Sequence, residues 1–236
     1  MTTASTEQHV ERSASKIAGW SLIGAAAGFI ATFSYLAVRF DYPDVLDGAA
    51  SDVLPKLLGL GSSGRAVWVI YAFLPLLLIP AAIGANRTLG KTAPGRMQGA
   101  LVAAVIAAVA MFLGLARWPS VHWELARAFV AGGADVRASI TAIFDGLNSY
   151  LGNYIGEFLG EAALNAFFVL SGSALVANGR QVAGRIGMIA GLIGWIAAFR
   201  NVTALVAPIA ALNNYVLPLW LIGLGVVLAR YGATDR

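Results

Sequence analysis

The chain has 236 residues, of which 58% are hydrophobic and only 12% are charged, and its mean hydropathy is +0.74. Soluble domains carry about 25% charged residues, so this composition excludes a soluble globular protein and predicts an all-α, polytopic membrane protein. The net charge of +4 comes without a basic run, which indicates loop topology rather than a nucleic-acid partner, and the lack of cysteine excludes disulfides, thiol nucleophiles and cysteine-ligated metals.

Six apolar segments are long enough to be membrane helices. They follow a polar stretch, residues 1–16, whose composition predicts a disordered cytoplasmic tail, and they precede a short cytoplasmic tail at 232–236. The region between the tails, 17–231, is therefore predicted to be one six-helix transmembrane domain. The predicted spans are about 17–38, 66–85, 97–116, 155–177, 183–207 and 213–230.

Two long polar connections separate some of these spans. The first contains an apolar stretch at 49–60 and the second an amphipathic stretch at 121–129, and both are predicted to be interfacial helices. Pro75 and Pro80 remove backbone donors from the second span and predict a kink there. A turn is expected from Pro208 to Asn213, just before the sixth span.

Spans four and five reach the required length only if they include charged residues. The uncharged stretch 162–177 covers only about 24 Å of helix, so the fourth span must include Glu161 and reach Glu157. The stretch 186–199 covers about 21 Å, which places Arg200 within the membrane.

The distribution of lysine and arginine predicts the orientation. With both termini in the cytoplasm, the inner segments hold nine bases and three acids, whereas the remaining segments hold seven bases and nine acids. Because positively charged loops stay in the cytoplasm, this asymmetry predicts a multi-pass membrane protein with both termini inside.

Glu157 and Glu161 occupy one turn of the fourth span, and carboxylates inside a bilayer are costly enough to need a partner or a function. Helix rise from the cytoplasmic ends places Glu161 about 24 Å and Arg200 about 22 Å up, and places both Glu157 and Arg117 about 30 Å up. We therefore expect two ion pairs, Glu161 with Arg200 and Glu157 with Arg117.

Other polar side chains at this level predict an outward-facing pocket around the four charges. They are Tyr150, Tyr154, Asn165, Asn213 and Asn214, with Tyr35, Tyr71 and Asn201 at similar heights. Gly152, Gly156 and Gly160 repeat every four residues on a neighbouring face, where another helix could touch the backbone. Two interpretations fit this set equally: a ligand-binding pocket and a purely structural clamp between helices.

A metal site is a further hypothesis. His122, with Glu124 nearby, could join Glu157 and Glu161 in a carboxylate-rich set of metal ligands. Beyond this possibility, the sequence identifies no cofactor.

Several short motifs stand out along the chain: Arg39-Phe-Asp-Tyr-Pro-Asp44 after the first span, Arg117-Trp118 closing the third, the glycine- and glutamate-bearing fourth helix, and the ending from Trp220 to Arg230. Together they resemble the motifs of bacterial six-span proteins gathered in a family of unknown function. The resemblance covers nearly the whole chain from Ile17. It implies an all-helical protein of the bacterial plasma (inner) membrane and carries no activity.

These features favour a non-enzymatic membrane protein that binds a small or lipid-like ligand in an outer-leaflet polar pocket, or a subunit of a homo-oligomer or larger membrane complex. One alternative is a metal-dependent membrane hydrolase or transferase, which would use a metal held by His122, Glu124, Glu157 and Glu161. Another is a secondary transporter, which the lack of a clear internal repeat disfavours. The lipid bilayer is the partner that the composition itself predicts.

Overall fold

The computed structural model describes residues 2–231, with side chains described for 12–46 and 48–231. Every regular element in this range is helical. The predicted tail at 232–236 lies outside the described residues.

The α-helices differ greatly in length, and short turns join several of them. They are α1 (Thr2–Phe40), α2 (Ala50–Gly59), α3 (Gly61–Phe73), α4 (Leu78–Leu89), α5 (Pro94–Ala116), α6 (Val121–Ala131), α7 (Ala134–Leu147), α8 (Gly160–Ala177), α9 (Gln181–Ala198) and α10 (Ala207–Ala229). A π-helix, Asn148–Leu159, joins α7 to α8, and 3-10 turns cover Asp44–Asp47, Leu74–Leu77, Phe199–Asn201 and Ala204–Val206.

Six helical segments within residues 2–231 are long and apolar enough to cross a membrane, which confirms the predicted polytopic helix bundle. They are Arg12–Phe40, Gly61–Leu89, Pro94–Ala131, Ala134–Ala177, Gln181–Asn201 and Ala204–Ala229. The short helices α2 and α6 lie in the two long connections, where interfacial helices were expected.

Two boundaries differ from the sequence prediction. Helix α1 begins at Thr2, so residues expected to form a disordered tail continue the helix of the first span; from Thr2 to Lys16 they include no glycine or proline to stop it. The turn before the last span lies at 202–203 rather than between Pro208 and Asn213. Pro208 stands in the first turn of α10, where its missing N–H costs no hydrogen bond.

The second span is interrupted where prolines were expected to disturb it. Helix α3 ends at Phe73, a 3-10 turn contains Pro75, and α4 starts at Leu78. Pro80 then falls in the first turn of α4, where it is tolerated. The interruption places Leu74 and Pro75 beside the cavity described below.

One end of the bundle, the terminal end, holds residues 15–19 of α1 against the end of α10. The Ser15 hydroxyl donates a hydrogen bond to the Leu228 carbonyl. Gly19 and Gly225 face each other so closely that a Cβ on Gly225 would lie 2.8 Å from the Gly19 carbonyl oxygen. Small residues therefore let the two backbones touch at this end.

The opposite end, the cap end, carries α2 and α6 and has its own apolar core. Trp68 of α3 stacks on Trp118 with ring centroids 5.0 Å apart, and Phe40 at the end of α1 meets both rings edge-on. All three side chains are fully buried. This packing fixes the chain at Trp118 and, with it, the neighbouring Arg117.

We expect Gly172→Ala to lower the free energy of unfolding by about 1–3 kcal/mol, because overpacking at a close helix contact forces the backbones apart. A Cβ on Gly172 of α8 would lie 2.7 Å from the Gly184 carbonyl oxygen of α9. Gly24→Ala is the matched control, since no atom lies within 4 Å of a Cβ there. Unfolding in mild detergent measures both variants, and equal stability of the two would contradict the packing argument.

Candidate functional site

A cavity of about 700 Å³ lies among α1, α3, α5, the π-helix, α8 and α10, with its polar part toward the cap end. Its polar lining consists of Tyr42, Asp44, Tyr71, Arg117, Asn153, Glu157, Glu161, Arg200, Asn201, Asn213 and Asn214. Its deeper walls are apolar and include Leu78, Met111, Leu164, Leu217 and Leu221. The cavity is therefore amphipathic along its length.

Arg200 joins both glutamates at the polar end. Its Nη1 lies 2.7 Å from Glu161 Oε2, and its Nη2 lies 2.7 Å from Glu161 Oε1 and 3.0 Å from Glu157 Oε2. The predicted contact of Glu161 with Arg200 is thus present, as a two-bond fork of the kind that makes arginine–carboxylate pairs strong. We call Glu157, Glu161 and Arg200 the Glu–Arg cluster.

The predicted ion pair between Arg117 and Glu157 does not form. Arg117 is 5% exposed, and its Nε and Nη2 donate to Asn148 Oδ1 over 3.3 and 2.9 Å, while its Nη1 donates to the Gly114 carbonyl. Asn148 in turn donates to the Leu46 carbonyl over 2.8 Å. Arg117 is thus held by neutral oxygens, and Arg200 takes the carboxylate that was expected to pair with it.

The three glycines of the π-helix and α8 let α5 approach, as their spacing predicted. A Cβ on Gly156 would lie 2.8 Å from the Cα of Gly114, and one on Gly160 would lie 2.7 Å from Met111. A Cβ on Gly152 would overlap the guanidinium of Arg117. Gly152 therefore makes the room that Arg117 occupies.

The π-helix explains why two predicted tyrosines lie away from the cavity. Its hydrogen bonds run from residue i to i+5, so each residue advances less around the axis than in an α-helix. Counted back from Glu157, Tyr150 and Tyr154 turn outward, and they are 63% and 52% exposed. Asn153, which lies four residues before Glu157 and was not among the predicted pocket residues, lines the cavity in their place.

The predicted asparagines separate into two groups. Asn213 and Asn214 line the cavity from α10. Asn165 is buried away from it: its Nδ2 donates to the Glu161 carbonyl over 2.7 Å, and its side chain fills the space left by Gly194 of α9. Asn201 and Tyr71 also line the cavity, whereas Tyr35 packs into the apolar core of the cap end.

Four aromatic residues on the cavity wall form a closed circuit of ring contacts, which we call the aromatic quartet. The centroid distances are 5.6 Å for Phe29–Phe33, 5.2 Å for Phe33–Tyr42, 6.0 Å for Tyr42–Tyr71 and 5.8 Å for Tyr71–Phe29. Burial raises the pKa of Tyr42 to about 12, so its hydroxyl stays neutral and able to donate. Apart from the Tyr42-Pro43 turn that follows α1, no pattern in the sequence indicated the quartet.

The four candidate metal ligands are not brought together. His122 is fully buried between Trp118 and Phe144, with ring centroids 4.8 Å from each. Glu124, two residues on, faces Arg65 and Arg127 instead. Among the described residues there is no group of three side chains arranged to hold a metal ion.

We expect Arg200→Met to lower the free energy of unfolding by about 3 kcal/mol, because it leaves two carboxylates in a largely buried place without their cation. Adding Glu161→Gln to this variant should restore part of the loss. Arg127→Met is the control: it removes an arginine whose pair with Glu124 is mostly exposed and contributes little. Equal losses in the two single variants, measured by unfolding in detergent, would contradict this role of the Glu–Arg cluster.

Comparison with protein-family models, with curated proteins and with solved structures finds no match. The resemblance to bacterial six-span proteins therefore leads to no family assignment. Any functional inference must come from the cavity itself.

Proposed function

We propose that this chain is a non-enzymatic, multi-pass membrane protein that binds a lipid-like amphiphile in its cavity. The observation that carries the proposal is the division of one continuous cavity into an ionic, hydrogen-bonding end and an apolar end. A volume of about 700 Å³ lies within the range of small-molecule sites, roughly 300–1,000 Å³. An amphiphile matches both ends at once.

The apolar end suits a hydrocarbon tail. Leu164, Leu217 and Leu221 line it together with Met111, whose flexible side chain adapts to irregular ligands. Several small residues of the turn before α10 and of α10 itself, Ala204, Ala207 and Ala211, both line the cavity and are exposed. They leave the cavity open at the side of the bundle near its polar end, where an amphiphile would enter.

The state of the acids favours binding over catalysis. A general acid or base needs a carboxylate free to exchange a proton with a substrate. Arg200 contacts both oxygens of Glu161 and one oxygen of Glu157, which holds these groups as a fixed ionic surface. A fixed charged surface can orient a headgroup without reacting with it.

We further propose that the protein lies in the bacterial inner membrane with both termini in the cytoplasm, which places the cavity's polar end in the outer leaflet. The support is the excess of lysine and arginine in the loops of the terminal end. In this orientation the ligand would come from the outer half of the bilayer.

Filling the apolar end should displace the ligand. We expect Leu217→Trp to reduce the amount of copurifying amphiphile about tenfold, equivalent to about 1.4 kcal/mol of binding free energy, because the indole takes the space of the tail. Leu219→Trp is the matched control, two residues further along α10 but 67% exposed and outside the cavity lining. Mass spectrometry of lipids released from the purified protein measures both. Equal lipid content in the two variants would remove the cavity as the binding place.

Single cysteines test the orientation, because the natural chain has none. We expect Ser51→Cys at the cap end to react with a membrane-impermeant maleimide in intact bacterial cells. Thr92→Cys, in the loop between α4 and α5, should react only after the membrane is permeabilised. The opposite labelling pattern would invert the proposed topology.

A further inference from the structure

The charges that line the cavity do not balance. Asp44, Glu157 and Glu161 supply three carboxylates, and Arg117 and Arg200 supply two guanidinium groups, which leaves a formal charge of −1. Asp44 is exposed at the margin of the cavity. An anionic headgroup would meet net repulsion here, whereas a headgroup that contains a cation would be attracted.

The Glu–Arg cluster leaves one carboxylate oxygen for such a cation. Arg200 contacts both oxygens of Glu161 but only Oε2 of Glu157. The other oxygen of Glu157, Oε1, forms no ion pair in the part of the chain that the structure describes. Glu157 can therefore accept a charged hydrogen bond from a ligand without losing Arg200.

The aromatic quartet provides a second kind of cation site on the same wall. Phe29, Phe33, Tyr42 and Tyr71 all line the cavity, and their rings contact one another in a closed circuit. The negative faces of aromatic rings attract ammonium groups, and quaternary ammonium ligands are commonly held by several rings at once. The guanidinium of Arg117 stacks over Trp118, which is not a member of the quartet, with its carbon 5.1 Å from the ring centroid.

Asn213 adds an uncharged polar group to this end of the cavity. The residue is only 3% exposed and lines the cavity from α10. A carboxamide both donates and accepts hydrogen bonds, so it is compatible with a polar headgroup.

We infer that the cavity binds an amphiphile with an ammonium headgroup, held between the aromatic quartet and Glu157, with its tail along the apolar walls. This inference rests on the proposed function and specifies its ligand class. The same ammonium chemistry belongs to aminophospholipids and to free long-chain amines. The experiment separates these two sources.

The test uses the full-length protein in dodecyl maltoside, with native mass spectrometry to measure binding of three added probes. The probes are phosphatidylethanolamine and phosphatidylglycerol with identical acyl chains, and hexadecyltrimethylammonium. At least one ammonium carrier should bind about tenfold more tightly than phosphatidylglycerol. Preference for phosphatidylethanolamine identifies a phospholipid as the source, and preference for hexadecyltrimethylammonium identifies a free amine.

Two variants locate the headgroup. Glu157→Gln should reduce the ammonium preference about tenfold while Arg200 keeps its fork to Glu161. Phe33→Leu leaves every charge in place and should also reduce the ammonium preference. It provides the test if Glu157→Gln does not fold. Glu124→Gln is the control, because this exposed glutamate lies outside the cavity lining.

The outcomes distinguish a failure of the ammonium inference from a failure of the proposed function. If all three probes bind equally, or phosphatidylglycerol binds most tightly, the ammonium inference fails while amphiphile binding stands. If Glu157→Gln and Phe33→Leu both leave the preference unchanged, the headgroup is not held where we place it, and the inference fails too. If no probe binds and no lipid copurifies, the proposed function fails with it.

Discussion

Two carboxylates on a helix that crosses a membrane require a cation that reaches them, and the position of Arg200 meets this requirement. The arginine stands in the 3-10 turn after α9, so its fork to Glu161 ties the end of α9 to the helix formed by the π-helix and α8. A buried carboxylate without that fork would cost several kcal/mol. The connection from α9 to α10 is thereby held at the cap end, beside the cavity.

The same constraint decides how the rest of the polar end is arranged. Because Arg200 pairs with both glutamates, Arg117 is left to neutral acceptors, which are Asn148 Oδ1 and the Gly114 carbonyl. Asn148 also reaches back to the connection after α1 through the Leu46 carbonyl. The polar side chains thus join segments that are far apart in sequence, and the cavity lies where these segments do not fill the space.

Helix rise predicted the contact of Glu161 with Arg200 because Glu161 lies in the regular helix α8 and Arg200 follows the regular helix α9 by only two residues. It failed for Glu157 with Arg117, because equal height does not fix the direction in which a side chain points. The predicted angular position of Tyr150 and Tyr154 was wrong for a related reason. Their segment has π-helical periodicity, which the residue types do not reveal. The glycine spacing was informative because a missing Cβ marks a close backbone contact in either helix type.

The aromatic quartet shows what no local pattern could supply. Its members come from α1, from the connection after it and from α3, and each looks like an ordinary apolar or interfacial residue in its own segment. Only the tertiary packing brings their rings into one circuit. The six membrane helices, by contrast, followed from length and apolarity alone.

The contact between Gly19 and Gly225 has a mechanical consequence. It fixes α1 and α10 together at the terminal end, while farther along both helices line the cavity. Phe33 lies fourteen residues beyond Gly19, or about 21 Å of helix. A tilt of about 5° about the glycine contact would therefore shift the cavity wall by about 2 Å. Such a tilt would change the width of the cavity without separating the two helices at their fixed end.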